Sequence, residues 1–361
     1  MRSKWIARLA AGLAAFLSSF LAVAAPPGPS APIAFVDAEP FATLPDDVRF
    51  PEGIAANPAT GDLFVATFDF GPTTNKVVRL DRHGHVTAKK DFGGAPLLGL
   101  EFHNGYVYIL NFGQGLLQRL PANFDAGSTV DTVATIPFIG APAPRTTPNP
   151  PNGTTSDTIM FTAERPGPNA MVFDSHGTVY ISDSFQGAIF TVASVDACAP
   201  SCGTAQLFRQ DPLLATAGVP PFGANGLALS SDGNTLFIAN TGDHRVLKMD
   251  ATQPASPLTV FSFSLPGADG LLMAGGRLWV AANQADQVMG LDANGMIVIK
   301  AGEYLGVRNG TPRGLLFPAS LVPVDGWMYV TNLALALDNI PGNEPEEQVQ
   351  HWTISRFRIP R

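Results

Sequence analysis

One unit recurs six times along this chain, and that repetition limits the folds open to it more than any other feature. "EGIAANPATGDLFVAT" begins at Glu52, "NAMVFDSHGTVYISD" at Asn169, "NGLALSSDGNTLFIAN" at Asn225 and "DGLLMAGGRLWVAAN" at Asp269. Two weaker copies are "LGLEFHNGYVYILN" from Leu98 and "ASLVPVDGWMYVTN" from Ala319. All but the Leu98 copy open on a polar or small residue, and each runs through an apolar strand and a Gly-containing turn into a second apolar strand, usually ending near Asp or Asn. Third strands follow at Val77, Leu116, Ala188, Arg245, Gln287 and Ile354. Fourth strands follow at "VTAKKDF", "DTVATI", "TAQLFR", "LTVFSF" and "MIVIKA", one short of six. The N-terminal "AEPFATL" supplies the missing one.

Four-stranded units repeated radially, with the first segment closing the last unit, describe a six-bladed β-propeller, an all-β fold that leaves few exposed edges. A parallel β-helix also repeats, but its coils are shorter and need no closing strand. The composition agrees: 45% apolar residues, 24 Phe, 36 Gly and 32 Pro suit many short strands and turns better than long helices. Successive units start 46, 71, 56, 44 and 50 residues apart. The long interval holds a Pro/Thr/Asn-rich insert, residues 137–168, between blades 2 and 3, which reads as a surface loop able to cover one face. The acidic "NEPEEQ" from Asn343 reads as another surface loop.

Residues 1–24 read as an export signal: Arg2, Lys4 and Arg8, an apolar run, then the small-residue pattern Ala22-Val23-Ala24. An uncleaved anchor is the rival reading, but the stretch is short for a span. The expectation is a secreted or periplasmic protein, residues 25–361 forming one domain with no stable membrane insertion. Without Arg2, Lys4 and Arg8, 19 basic residues face 30 acidic ones, a net charge of about −11. That excludes nucleic acid as the expected partner and suits cations or small molecules. A closed ring makes a monomer the default. Cys198 and Cys202, the only cysteines, are expected to form a short-loop disulfide in an oxidising compartment; two thiols without a nearby His make a poor zinc site.

In a propeller the innermost strands line a central channel, so residues entering them converge. Glu52, Asn169, Asn225 and Asp269 come from four blades, and burying two carboxylates with two amides is costly unless something satisfies them. A divalent cation does so, and oxygen ligands favour calcium ahead of magnesium, manganese or zinc. Asn-Gly and Asp-Gly are also common turns, but each unit has its own hairpin turn about eight residues later. A second column, Asp183, Asn240, Asn283 and Asn332 with Asn111, reads as side chains capping turns.

"PEGIA" from Pro51, "ANGLALSSDGNTLFIANT" from Ala224 and "ADGLLMAGGRLWVAAN" from Ala268 resemble the senescence marker protein/gluconolactonase family, also called regucalcin-like, over nearly the whole chain beyond the leader. The resemblance implies a six-bladed propeller with a divalent metal in the channel and, in many members, lactone hydrolysis. It implies Glu52, Asn225 and Asp269 as metal ligands, Asp269 also as general base, and Asn169 as an amide near metal or substrate. Members often carry an arginine two residues before that Asn. Here the position is Gly167 and Arg165 is the nearest arginine, the candidate for substrate binding, which counts against a polyhydroxylated sugar lactone. Ala319 stands where phosphotriesterase relatives bring a histidine, which counts against their chemistry. A non-catalytic propeller with a structural metal is the alternative.

Overall fold

The computed structural model describes residues 32–148 and 153–360; the leader assigned to residues 1–24 lies outside them. From Ile33 onward the chain forms one compact unit in which six sheets of four or five strands are the blades and two two-stranded ribbons lie beside them. The innermost strands of blades 1 to 6 are Pro51–Ala56, Leu97–His103, Pro168–Phe173, Ala224–Leu229, Ala268–Ala274 and Pro318–Val324. Each packs against the next, and the sixth packs against the first. Glu39–Thr43 pairs antiparallel with Thr353–Arg358 as the outer strand of blade 6, Glu39 opposite Arg356 and Thr43 opposite Thr353, so the closing strand lies where the sequence put it.

The blades stack because their strands are apolar on both faces. In Leu63–Thr67 every residue is buried. Period-two alternation sends Leu63 and Val65 into a cluster with Tyr329 and Ile354 of blade 6, and Phe64 and Ala66 into one with Val107 and Ile109 of blade 2. Equivalent clusters fill the other interfaces.

Two edge strands escaped sequence reading because their partners are remote and their runs very short. Ala34–Val36 adds to blade 5, parallel to Ile297–Ala301, and Gly203–Thr204 adds to blade 2, parallel to Ala134 and Thr135. Both cover an outer edge. The Cys198–Cys202 disulfide, with Cα atoms 4.9 Å apart, fastens the loop carrying the second, and the Cys202 amide donates to the Val133 carbonyl at 2.6 Å.

The insert is not all loop. Arg145–Pro148 and Ser156–Ile159 form a hairpin. Gln186 of blade 3 donates to the Pro137 carbonyl at 3.1 Å and accepts from the Ile139 amide at 2.5 Å. Arg145 meets the Asp243 carboxylate of blade 4 at 2.8 Å, which Arg245 shares at 2.5 Å. The insert is thus fastened to blades 3 and 4.

Candidate functional site

The same irregularity recurs in all six blades. Pairing between first and second strands holds at the first residue, slips, and resumes at the fourth: Pro51 faces Thr67, but Ile54 faces Val65. Blades 2 to 6 repeat it. Residues two and three of each inner strand fall in this bulge, which re-aims side chains. The second residues are Glu52, Leu98, Asn169, Asn225, Asp269 and Ala319, the column read from the sequence. The third residues are all small: Gly53, Gly99, Ala170, Gly226, Gly270 and Ser320. A Cβ on Gly53 would stand 2.3 Å from the Leu98 carbonyl oxygen, and one on Gly226 2.1 Å from that of Asp269. Asn225-Gly226 and Asp269-Gly270 are therefore not turns; the glycines let neighbouring strands close around the axis.

Glu52, Asn169, Asn225 and Asp269 line one cavity of about 30 Å³, each 3–5% exposed. Hydroxyls fix the amides. The Ser184 Oγ proton goes to the Ala224 carbonyl oxygen (2.7 Å) and that of Thr241 Oγ1 to the Ala268 carbonyl oxygen (2.7 Å). Each hydroxyl can then only accept, from Asn169 Nδ2 at 3.0 Å and Asn225 Nδ2 at 2.9 Å, which fixes which end of each amide is nitrogen. Four buried oxygens around this cavity have no hydrogen-bond partner: Glu52 Oε2, Asn169 Oδ1, Asp269 Oδ1 and Asn283 Oδ1.

Burial pushes the Glu52 carboxyl well above its ordinary range, and the nearby Asp269 charge adds to this. Burial raises Asp269 to about 7 against the lowering effect of the Asn283 hydrogen bond and the nearby Asn225 amide. Groups raised on folding stabilise the protein below their unfolded pKa and lose that contribution as pH climbs through the folded value. Ion-free protein is expected to lose stability as pH rises from about 4 through about 7, read as a falling urea midpoint, and a saturating divalent cation to flatten that slope. An equal slope with and without cation would contradict it. Among the described residues no three His, Cys, Asp or Glu side chains form a group that could hold a metal ion. The floor instead offers two carboxylates with amide oxygens, an all-oxygen set fitting a hard cation.

The second column needs one correction. Asp183, Asn240 and Asn111 accept from backbone amides of the following turn, and Asn332 accepts from the Leu316 amide and donates to Thr353 and Ser355. Asn283 does neither: its Nδ2 donates to Asp269 Oδ2 at 3.2 Å. The partner of Ala268 is Ala282, so Asn283 lies one residue past the column. Blade 5 has a two-residue hairpin turn like those of blades 2 and 6, a signal that could have placed it. Its true counterparts are Phe68, Phe112, Ser184, Thr241 and Leu333, a second ring above the first. Blades 3 to 5 contribute side chains to this ring that hold floor residues; blades 6, 1 and 2 contribute apolar ones. Asn283→Ala is expected to weaken divalent-ion affinity about 10- to 100-fold by releasing Asp269, measured by calorimetry.

The apolar half builds a collar. Phe68, Phe112 and Phe317 are buried with Leu98, Ala319 and Leu333, and Phe185, Phe222 and Leu335 pack against them. The structure does not bring Arg165 to the floor. It lines a neighbouring cavity of about 380 Å³ walled by Met160–Arg165 of the insert. Its Nη1 donates to the Phe112 carbonyl at 2.8 Å, and its guanidinium sits 4.3 Å from the Phe112 ring and 5.2 Å from that of Phe185. There it braces the collar.

Residues 162–301 match the family model described as the SMP-30/Gluconolactonase/LRE-like region. That match takes in blades 3 to 5. It contains Asn169, Asn225, Asp269 and Asn283, while Glu52 lies outside it. Among solved structures, luciferin-regenerating enzyme is similar over 86% of this chain and 92% of its own, with a TM-score of 0.57 and 13% identity. The calcium-binding protein regucalcin from Agrobacterium tumefaciens matches over 90% and 96%, with a TM-score of 0.56 and 14% identity. A gluconolactonase from Xanthomonas campestris matches over 92% and 99%, with a TM-score of 0.52 and 13% identity. At these identities the likeness carries the propeller fold. No curated protein sequence matches the chain.

Proposed function

We propose that the protein is an exported, monomeric, metal-dependent hydrolase of lactone or ester bonds in small molecules, with the active site on the channel floor. The convergence of unpartnered oxygens from Glu52, Asn169 and Asp269 in one buried cavity carries this reading. Unpaired oxygens this deep are costly, and a hard divalent cation, calcium first, offsets them. Glu52 and Asp269 balance its charge; Asn169 and Asn225, their nitrogens held by Ser184 and Thr241, complete the shell. When bound, the ion would polarise an ester carbonyl and offset the charge developing on its oxygen. Asp269 Oδ1 takes the proton of the attacking water. Asn283 keeps the other carboxylate oxygen occupied and so fixes the carboxylate plane. The SMP-30/gluconolactonase-like match over blades 3 to 5 supports the reaction class.

One observation favours a second reading. The column is 3–5% exposed beneath an apolar collar, as expected of an ion that ties blades together in a binding propeller. Chelator-stripped protein reloaded with calcium, magnesium or manganese and assayed on lactones and esters separates the two. Turnover restored by the ion supports the hydrolase; an ion that binds and raises the melting temperature without any turnover supports the binding module.

A further inference from the structure

We infer that the channel ligand is apolar where it meets the mouth: a lactone or ester bearing an alkyl or aryl substituent, not a polyol. The ester carbonyl at the floor is taken from the function proposed above; the apolar remainder rests on the collar. Polar side chains lining the cavity all belong to the floor or its supports, and the Thr241 hydroxyl is spent in both directions. The other lining residues are Leu98, Pro220 and the apolar set Phe68, Phe222, Phe317, Leu333 and Leu335. A sugar hydroxyl pressed against these gives up water and gains no partner, which costs on the order of tenfold in affinity each. Arg165, the cation nearest in sequence to Asn169, is occupied in the neighbouring cavity.

Size points the same way. A cavity of about 30 Å³ takes an ion with little more, so the organic part of a ligand must lie against the collar. Phe222 and Leu335 are only half-buried. The aromatic surface continues outward, Phe68 meeting Phe70 edge to face at 4.8 Å, with Phe70 66% exposed. A small molecule, not a protein surface, is the occupant this geometry selects, because the unpartnered oxygens lie beneath the collar where only a small group reaches.

The test is calorimetry on the calcium-loaded full chain with probes that cannot be hydrolysed. These are 2-alkylcyclopentanones from ethyl to hexyl, with gluconolactam as the polyol. Affinity is expected to rise about fourfold per added methylene, gluconolactam to bind far more weakly, and Phe222→Ala to flatten the series. A flat series, no binding by any probe, or tighter binding of gluconolactam overturns the inference. Turnover of the matching alkyl lactones is read separately. Chain-length-dependent binding with no turnover of any ester leaves the apolar ligand standing and removes the hydrolase. Turnover confined to sugar lactones does the reverse.

Discussion

Asp269→Asn is expected to leave the propeller folded and to lower turnover by about a hundredfold or more. The substitution is nearly isosteric, and an amide oxygen can still accept from Asn283 Nδ2, which now donates to Asp269 Oδ2 at 3.2 Å. Two things disappear: a proton acceptor at Oδ1, which has no partner in the structure, and one of two negative charges on the floor. Ion affinity should fall as well, so the comparison belongs at saturating cation. If the Asp269→Asn protein kept full turnover with the ion bound, Asp269 would not be the base. If it lost the ion altogether, rate alone would not separate the two roles, and Asn283→Ala, which keeps the carboxylate, becomes the informative partner.

Gly226→Ala is expected to destabilise the fold by about 3 kcal/mol or more. The added Cβ would stand 2.1 Å from the Asp269 carbonyl oxygen, 2.6 Å from the Leu271 nitrogen and 2.9 Å from the Gly270 carbonyl carbon, all blade 5 backbone with no rotamer to retreat to. Blades 4 and 5 must part, carrying Asn225 and Asp269 with them, so ion affinity should drop too. Gly233→Ala is the control. That glycine has φ +74° but nothing within 4 Å of its Cβ, so it costs only the backbone term, about 1–2 kcal/mol. Urea midpoints for the two variants, measured side by side, check the difference. Equal losses would mean that close packing of inner strands is not what position 226 requires.

What the sequence made legible was whatever is written locally and repeated. Alternating apolar residues, a Gly turn and an apolar return strand mark each blade, so the six inner strands and the closing strand at Glu39–Thr43 could be read directly. The polar column was legible for the same reason, since Glu52, Asn169, Asn225 and Asp269 share one place in the unit. Asn283 was not. It resembles Asp183 and Asn240 because hairpin turns of different length shift the count by one or two residues. Its real surroundings depend on Gly267, where a Cβ would lie 1.7 Å from Asn283 Oδ1. The collar was hidden because Phe68, Phe112 and Leu333 share a repeat position whose residue type changes from blade to blade, and Phe185, Phe222 and Phe317 come from loops with no common motif. Distance along the chain to Asn169 singles out Arg165, whereas the Phe112 carbonyl and ring decide where it lies.

That the channel floor holds a divalent cation is tested most directly by calorimetric titration of calcium into the chelator-stripped protein. The account predicts one ion per chain, with protons released on binding near pH 6 to 7 as Glu52 and Asp269 ionise, and loss of that isotherm in Asp269→Ala. Absence of binding by calcium, magnesium and manganese alike, or an isotherm unchanged in Asp269→Ala, would contradict it and leave the polar ring as hydrogen-bonding groups of the channel alone.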